Sequence, residues 1–307
     1  MHWAHSVSYD LINWIPLDLT LSPTESFDKI SCWSGSATIL PGNKPVMLYT
    51  GIDFENRQVQ NMAIPKDLYD PCLKEWVKPN HSLARRRREM ENNRGKSERQ
   101  DRDRVSVGLF DYAKDFYMIG NYSPEKENYV PQNELTLSTL RYDYGKYYAS
   151  KSFFDPVKNR RILMAWVNES DSEADDIAKG WSGLQSFPRS FWLDQNQKQL
   201  VQWPIEEIEM LHENKVSFLD KKLEGGSLHE VVGITASQID HSVIESFGGE
   251  GRTCITARVY PTLAIRKEAR LFAFNNGTES VVFSDLSAWS GKKSLINIKE
   301  TISCTYQ

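Results

Sequence analysis

Much that would place a sequence quickly is missing from this 307-residue chain. No stretch approaches the roughly 20 consecutive apolar residues of a membrane helix, so no membrane partner is expected. The N-terminus, MHWAHSVSYD, has no basic segment leading into an apolar one, so no signal peptide is expected either. Four cysteines, Cys32, Cys72, Cys254 and Cys304, lie far apart, with no CxxC pair and no metal-ligand spacing. They spell no disulfide framework, and neither a metal nor another cofactor is expected. A positive surplus is absent too. The net charge is −4 and the pI ≈ 5.9, which points away from nucleic acid as a partner.

What is present is aromatic: 9 Trp and 13 Tyr, with 11% aromatics in all. Such rings fill strand cores and also stack on the C–H faces of sugars. Short apolar runs bounded by turn residues recur along the chain. In ATILPGNKPVMLYTG two runs flank Pro-Gly-Asn-Lys-Pro, a hairpin pattern. FYMIGNY, RRILMAWVN and SFWLD continue it up to residue 203, and RTCITARVY, ARLFAFNN and SVVFSDL resume it near the C-terminus. Between them, IEEIEMLHEN spaces Ile205, Ile208 and Leu211 as a short helix would. The pattern predicts an all-β protein, whether sandwich, barrel or propeller. Sequons stand at Asn80, Asn168 and Asn276, candidate glycosylation sites.

Several strings then carry a specific likeness. WAHSVSYDLINW, CWSGSATILPGNKPVMLYTG, RYDYGKYYASKSFFDPVKNRRIL, NESD, KGWSGLQSFPR and KQLVQWPIEE occur in this order. Together with IDHSVIESFGGEGRTCITARVYPTLAI they resemble glycoside hydrolase family 32 of plants, the acid invertases and fructan exohydrolases. The resemblance implies a partial five-bladed β-propeller over 1–203, a linker over 204–227 and a partial β-sandwich over 228–307. It implies a monomer of the cell wall or vacuole whose ligand is fructan or sucrose.

Retaining hydrolysis of a terminal β-fructosyl unit needs a carboxylate nucleophile and a carboxyl acid/base. The family carries these in NDPNG-like and Glu-Cys motifs, with a transition-state stabiliser in Arg-Asp-Pro. None of the three motifs occurs in this sequence. No catalytic residue is therefore assigned. The resemblance still implies substrate contacts at Trp33 and Ser34, from the WSGSAT motif, and at Tyr148 and Ser150, from YASK; Gly183, Pro188 and Arg189 are read as shaping a turn and a strand. Invertase-like members pair an Asp with a Lys three residues on, and that pair holds the glucose half of sucrose. Here Lys126 is kept, but Ser123 replaces the Asp. A neutral hydroxyl forms no ion pair, which favours fructan over sucrose as the ancestral substrate.

One segment fits none of this. HSLARRRREMENNRGKSERQDRDR, residues 81–104, holds eight Arg, one Lys and five acids with almost nothing apolar. It occupies the place where the Arg-Asp-Pro and Glu-Cys motifs belong. A basic arm for a polyanion would interleave aromatics rather than acids. Mixed charge without apolar side chains does not offset chain entropy, so a solvated, disordered insert is expected, with sequence foreign to the fold as the alternative. Trypsin should cut the native protein first within 81–104. Mass mapping of the earliest fragments checks this, and survival of the segment while cuts accumulate elsewhere would refute it.

Overall fold

The computed structural model describes residues 1–79, 109–111, 114–123, 125–126, 128–132, 140–235, 242–260 and 270–295. The Arg-rich segment and Asn80 lie outside them. The described residues fall into two compact units. One takes in the residues up to 79, Asn121–Val130 and Leu295; the other takes in 109 to Gly120 and Pro131–Ser294.

Strands dominate both, as the alternation of short apolar runs and turns predicts. In the first unit, β1 (Trp3–Val7) pairs β2 (Ile15–Leu21). A four-stranded antiparallel sheet follows in simple up-and-down order from β3 (Ser31–Leu40), β4 (Lys44–Ile52), β5 (Gln58–Pro65) and β6 (Trp76–Val77). The β3–β4 hairpin closes at Pro41-Gly42-Asn43, where Gly42 (φ 83) and Asn43 (φ 56) take the left-handed backbone that those residue types tolerate. Leu21, Cys32, Tyr49 and Ala63 form the core here, with Trp3, Met47 and Trp76 packed against it.

Beyond the Arg-rich segment come β7 (Leu109–Asp111), β8 (Lys114–Phe116), β9 (Gly120–Ser123) and β10 (Asn128–Pro131), paired as two short hairpins. A larger sheet then joins β11 (Tyr147–Asp155), β12 (Arg160–Val167), β14 (Arg189–Leu193) and β15 (Leu200–Pro204), with β13 (Leu184–Gln185) beside β12. Its inner face buries Tyr117, Ile119, Tyr142, Tyr147, Leu163, Ala165 and Leu200. Helix α1 (Glu173–Lys179) interrupts the strands and is closed by a Ser172 capping box and a left-handed Gly180.

The stretch 204–227, read from sequence as a linker, is more ordered than that word suggests. Glu206–Leu211 forms a 3₁₀ helix rather than an α-helix. Then β16 (His212–Leu223) runs beside β21 (Val281–Gly291) along its whole length. Periodicity over so few residues does not separate the two helix types. The remaining strands pair as β17 (Leu228–Thr235) with β20 (Arg270–Phe274), and β18 (Val243–Gly248) with β19 (Thr253–Arg258). Val231 and Ala288 are buried between ribbons, with Val216, Phe218 and Leu286 against them.

One ionic network ties the large sheet to the β18–β19 hairpin. Arg189, on β14, is fully buried. Its guanidinium donates to Asp143 Oδ2 at 3.0 Å, to Glu245 Oε2 at 2.5 Å and to Thr256 Oγ1 at 2.7 Å. The rings of Tyr147 and Phe247 stand 4.1 and 4.8 Å from it. Burial alone would push the guanidinium to give up its proton, but the carboxylates of Glu245 and Asp143 outweigh it and raise its affinity for that proton. The backbones approach closely around this point. A Cβ on Gly145 would lie 1.9 Å from the Thr256 carbonyl oxygen, and one on Gly251 would lie 2.1 Å from that of Gln202. Removing one partner of a buried pair costs about 3–5 kcal/mol, because the others stay buried and uncompensated. Arg189→Met should therefore lower the urea midpoint strongly. Lys66→Ala, which breaks the exposed pair to Glu75, should leave the midpoint near the parent's. Equal midpoints in the two variants would refute the central role of Arg189.

Candidate functional site

Trp33 and Ser34 stand on a β-bulge. The β3–β4 register shifts between Cys32 and Gly35, so these two residues have no direct partner across the ladder. A bulge re-aims side chains out of the sheet, and Trp33 is 39% exposed with Ser34 exposed beside it. The indole N–H of Trp3 holds the Trp33 carbonyl at 2.9 Å. Gly35 permits the return to pairing, since a Cβ there would meet the Leu48 carbonyl oxygen at 2.0 Å. Beneath the bulge lies a buried polar cluster. Asp28 accepts from the Tyr49 hydroxyl at 2.6 Å and from the Lys78 ammonium at 2.5 Å. Burial raises the Asp28 carboxyl, but those two donors outweigh it and hold it below the ordinary range. Burial also pushes the Cys32 thiol up to about 11, so it stays protonated and inert.

Ser123 and Lys126 sit on the β9–β10 hairpin. The Ser123 hydroxyl accepts the Lys126 backbone N–H at 3.3 Å and donates to Glu125 at 3.1 Å. It therefore closes the turn. The Lys126 side chain is exposed and forms no ion pair with another described residue.

Tyr148 and Ser150 belong to the second unit and flank another bulge, between Tyr148 and Lys151 of β11. Ala149 takes a left-handed backbone there, φ 53. Buried Asp115 holds the bulge by accepting the Ser150 N–H at 2.6 Å. Tyr148 lies across from Trp166, ring centroids 6.3 Å apart. Gly183 (φ 72) turns the chain against the Trp166 indole, as read from its motif. The structure thus presents each pair of expected contact residues on its own local device: a bulge, a turn and a second bulge. Asp115 and Trp166 had gone unremarked in the sequence.

Carboxylates form a further group near α1. Glu169, Asp171 and Asp176 lie close enough together to share a cation. The Lys179 ammonium already stands among them, at 3.1, 2.9 and 2.7 Å. Arg258 donates to Glu169 at 2.9 Å. Burial raises the Glu169 carboxyl, but N–H groups of Gly183 and Ser170, with Lys179 and Arg258, bring it down to about 2. Glu207 is likewise brought to about 2, where Arg160 and Lys158 overcome its burial. Depressed values of this kind stabilise the fold above the ordinary carboxylate range, and the contribution is lost as pH falls through about 2. Asp28, Asp143, Glu169, Glu207 and Glu245 are each paired with Lys or Arg. Of these, Asp28, Glu169 and Glu207 are held below the ordinary carboxylate range and accept hydrogen bonds as charged groups, whereas burial pushes the Glu245 carboxyl up despite Arg189. Among the described residues no helix is long and apolar enough to cross a membrane.

Comparison with known proteins places the fold. The chain matches the N-terminal domain of glycosyl hydrolases family 32 in two pieces, residues 1–103 and 100–204, and the family's C-terminal domain over 237–290. It is 35% identical to fructan 6-exohydrolase of Beta vulgaris over 487 residues, covering 96% of this chain and 80% of that one. An insoluble β-fructofuranosidase of Daucus carota, isoenzyme 1, is 34% identical, covering 95% of this chain and 82% of its own. The crystal structure of fructan 1-exohydrolase IIa from Cichorium intybus superposes with a TM-score of 0.87 at 34% identity, covering 98% of this chain and 91% of that one. An alignment of 487 positions against a chain of 307 leaves at least 180 positions of the beet enzyme without a counterpart here. The all-β architecture, propeller followed by sandwich, is the one these enzymes share. The chain belongs to glycosyl hydrolase family 32.

Proposed function

We propose that this chain derives from a fructan-acting β-fructosidase and holds fructosyl ligands without hydrolysing them. The observation that carries the reading lies inside the chain. The two matched pieces of the N-terminal domain meet at residues 100–103, and no Arg-Asp-Pro or Glu-Cys occurs anywhere around that junction. Those motifs hold the family's stabiliser and acid/base. The pairing of Asp28, Glu169 and Glu207 with Lys or Arg supports the same reading, because their lowered carboxyls stay charged rather than serving as proton donors. Residues 1–203 are then the propeller part and 228–307 the sandwich part. The ligand is fructan or sucrose, in line with the 1-kestose complex of the chicory enzyme. Trp33 and Ser34 offer an exposed ring and hydroxyl to it, and half-buried Tyr148 and Ser150 are a separate candidate pair in the second unit.

Relatives include a cell wall isozyme from Pisum sativum, which supports the cell wall as the location. The bonded state of Cys72, a disulfide, supports an oxidising compartment. A second reading, a defective product without function, is favoured by the open ribbons of the C-terminal part. There Leu219, Val232 and Phe274 are largely exposed, and uncovered apolar edges favour aggregation.

Two measurements test the proposal. The purified chain should release no fructose from sucrose, inulin or levan above a boiled control, since loss of the acid/base alone removes orders of magnitude in rate. It should still bind 1-kestose in calorimetry, and Trp33→Ala should abolish that heat. Turnover lost on mutating one carboxylate would overturn the catalytic part; absence of binding would favour the functionless reading. The second concerns Ser123. With the missing segments restored from the beet enzyme, the chimera should prefer inulin or levan to sucrose. Ser123→Asp should raise the sucrose-to-fructan ratio by about 10- to 150-fold, the worth of one charge-assisted contact. A flat ratio would show that Lys126 takes no part in holding the glucose unit.

A further inference from the structure

The turn between β20 and β21 reads Phe274-Asn275-Asn276-Gly277-Thr278. Exposure alternates along it: Phe274 is exposed, Asn275 buried and Asn276 exposed. Phe274 ends β20 and Asn276 stands two residues on in the turn, both exposed on either side of buried Asn275. The two asparagines have divided their roles. Asn275 fixes the turn from inside, its amide donating to the Leu223 carbonyl at 3.2 Å and the Glu279 carbonyl at 2.7 Å. Its side-chain oxygen accepts the Gly277 N–H at 2.9 Å. A Cβ on Gly225 would lie 2.3 Å from the Thr278 carbonyl oxygen, so the turn is also braced from beneath. Asn276 has no such duty and stands in a complete Asn-Gly-Thr sequon.

Beside it the surface is apolar. Phe274 is 68% exposed, and Leu228, its partner across the ladder, is 63% exposed. Val281 and Val282, at the start of β21, are also exposed. Exposed apolar area of this kind calls for a cover, and the acceptor amide lies two residues from the ring.

We propose that Asn276 carries an N-linked glycan whose first sugar packs its C–H face on the Phe274 ring. In the transfer, the Asn276 amide nitrogen bonds to the anomeric carbon of an oligosaccharide carried on a lipid pyrophosphate. The anomeric C–O bond breaks, the lipid pyrophosphate leaves, and the amide gives up one proton. The reaction belongs to the same oxidising compartment that leaves Cys72 disulfide-bonded. Asn168 is a poorer place for a glycan in the folded protein. It is half-buried at the end of β12, its N–H donates to the Lys146 carbonyl at 3.1 Å, and the next residue, Glu169, is locked by Gly183 and Arg258. The inference is independent of whether the chain binds fructan.

The full chain, carried by a secretory leader through yeast, is treated with peptide N-glycosidase in heavy-oxygen water. The peptide spanning 274–278 should carry the heavy label at position 276 in most molecules. Asn276→Gln should remove that label and Asn168→Gln should leave it. Translation in the presence of microsomes gives the same reading by gel shift without requiring a stable fold. An unlabelled 276 peptide in protein that has entered the lumen overturns the site. The packing is tested separately, by the rise in melting temperature that the glycan confers. That rise should fall by at least half in Phe274→Ala, and an equal rise in both proteins would overturn the contact with the ring.

Discussion

A cation with no access to water holds the second unit together. The planar guanidinium of Arg189 presents several donors at fixed angles, and Asp143, Glu245 and Thr256 accept them together. A lysine ammonium has neither the fork nor the flat face that rests against Tyr147 and Phe247. Desolvating these charges is costly, so each depends on every other being in place. The consequence reaches the candidate ligand residues. Tyr147, clamped against Arg189, is the residue just before Tyr148, where the β11 ladder slips. A fixed Tyr147 on one side and Asp115 holding Ser150 on the other leave Tyr148 little freedom. What presents that ring is the ionic network one residue away.

The sequence carried the strand content and the sites of the sharp turns, because both depend on neighbours in the chain. Pro41-Gly42-Asn43 needs only its own backbone preferences to close a hairpin. The bulges at Trp33–Ser34 and Ala149–Ser150 were not legible in that way. A bulge exists only relative to the strand opposite, and nothing in CWSGSA states how Gly51 and Tyr49 will face it. Arg189 was likewise misjudged in weight. Its motif reads as a turn entering a strand, and it is both. Its main role, though, depends on Asp143 and Glu245, 46 and 56 positions away. The stretch 212–223 hid its pairing for the same reason, since β21 lies some 70 residues downstream. Family likeness named the candidate contact residues, whereas the physical devices that present them emerged only with the fold.

Stability and catalysis make different demands on such an architecture. The sheet of β3 to β6 is built from consecutive strands and carries its own core of Leu21, Cys32, Tyr49 and Ala63. The sheet containing β11, β12, β14 and β15 carries another. A segment removed between two such sheets leaves the internal pairing of each intact, because the hydrogen bonds of a meander are satisfied by its nearest neighbours in sequence. Retaining glycoside hydrolysis does not share this tolerance. It requires two carboxylates about 5 Å apart, and in this family they come from motifs far apart in the chain. The absence of at least 180 positions of the beet enzyme thus leaves a recognisable fold, and in the proposed reading it is what removes the chemistry. The ring, hydroxyls and bulges at Trp33, Ser34, Tyr148 and Ser150 are the proposed sugar contacts. Asp28, Asp143, Glu169, Glu207 and Glu245 serve as structural partners of lysine and arginine.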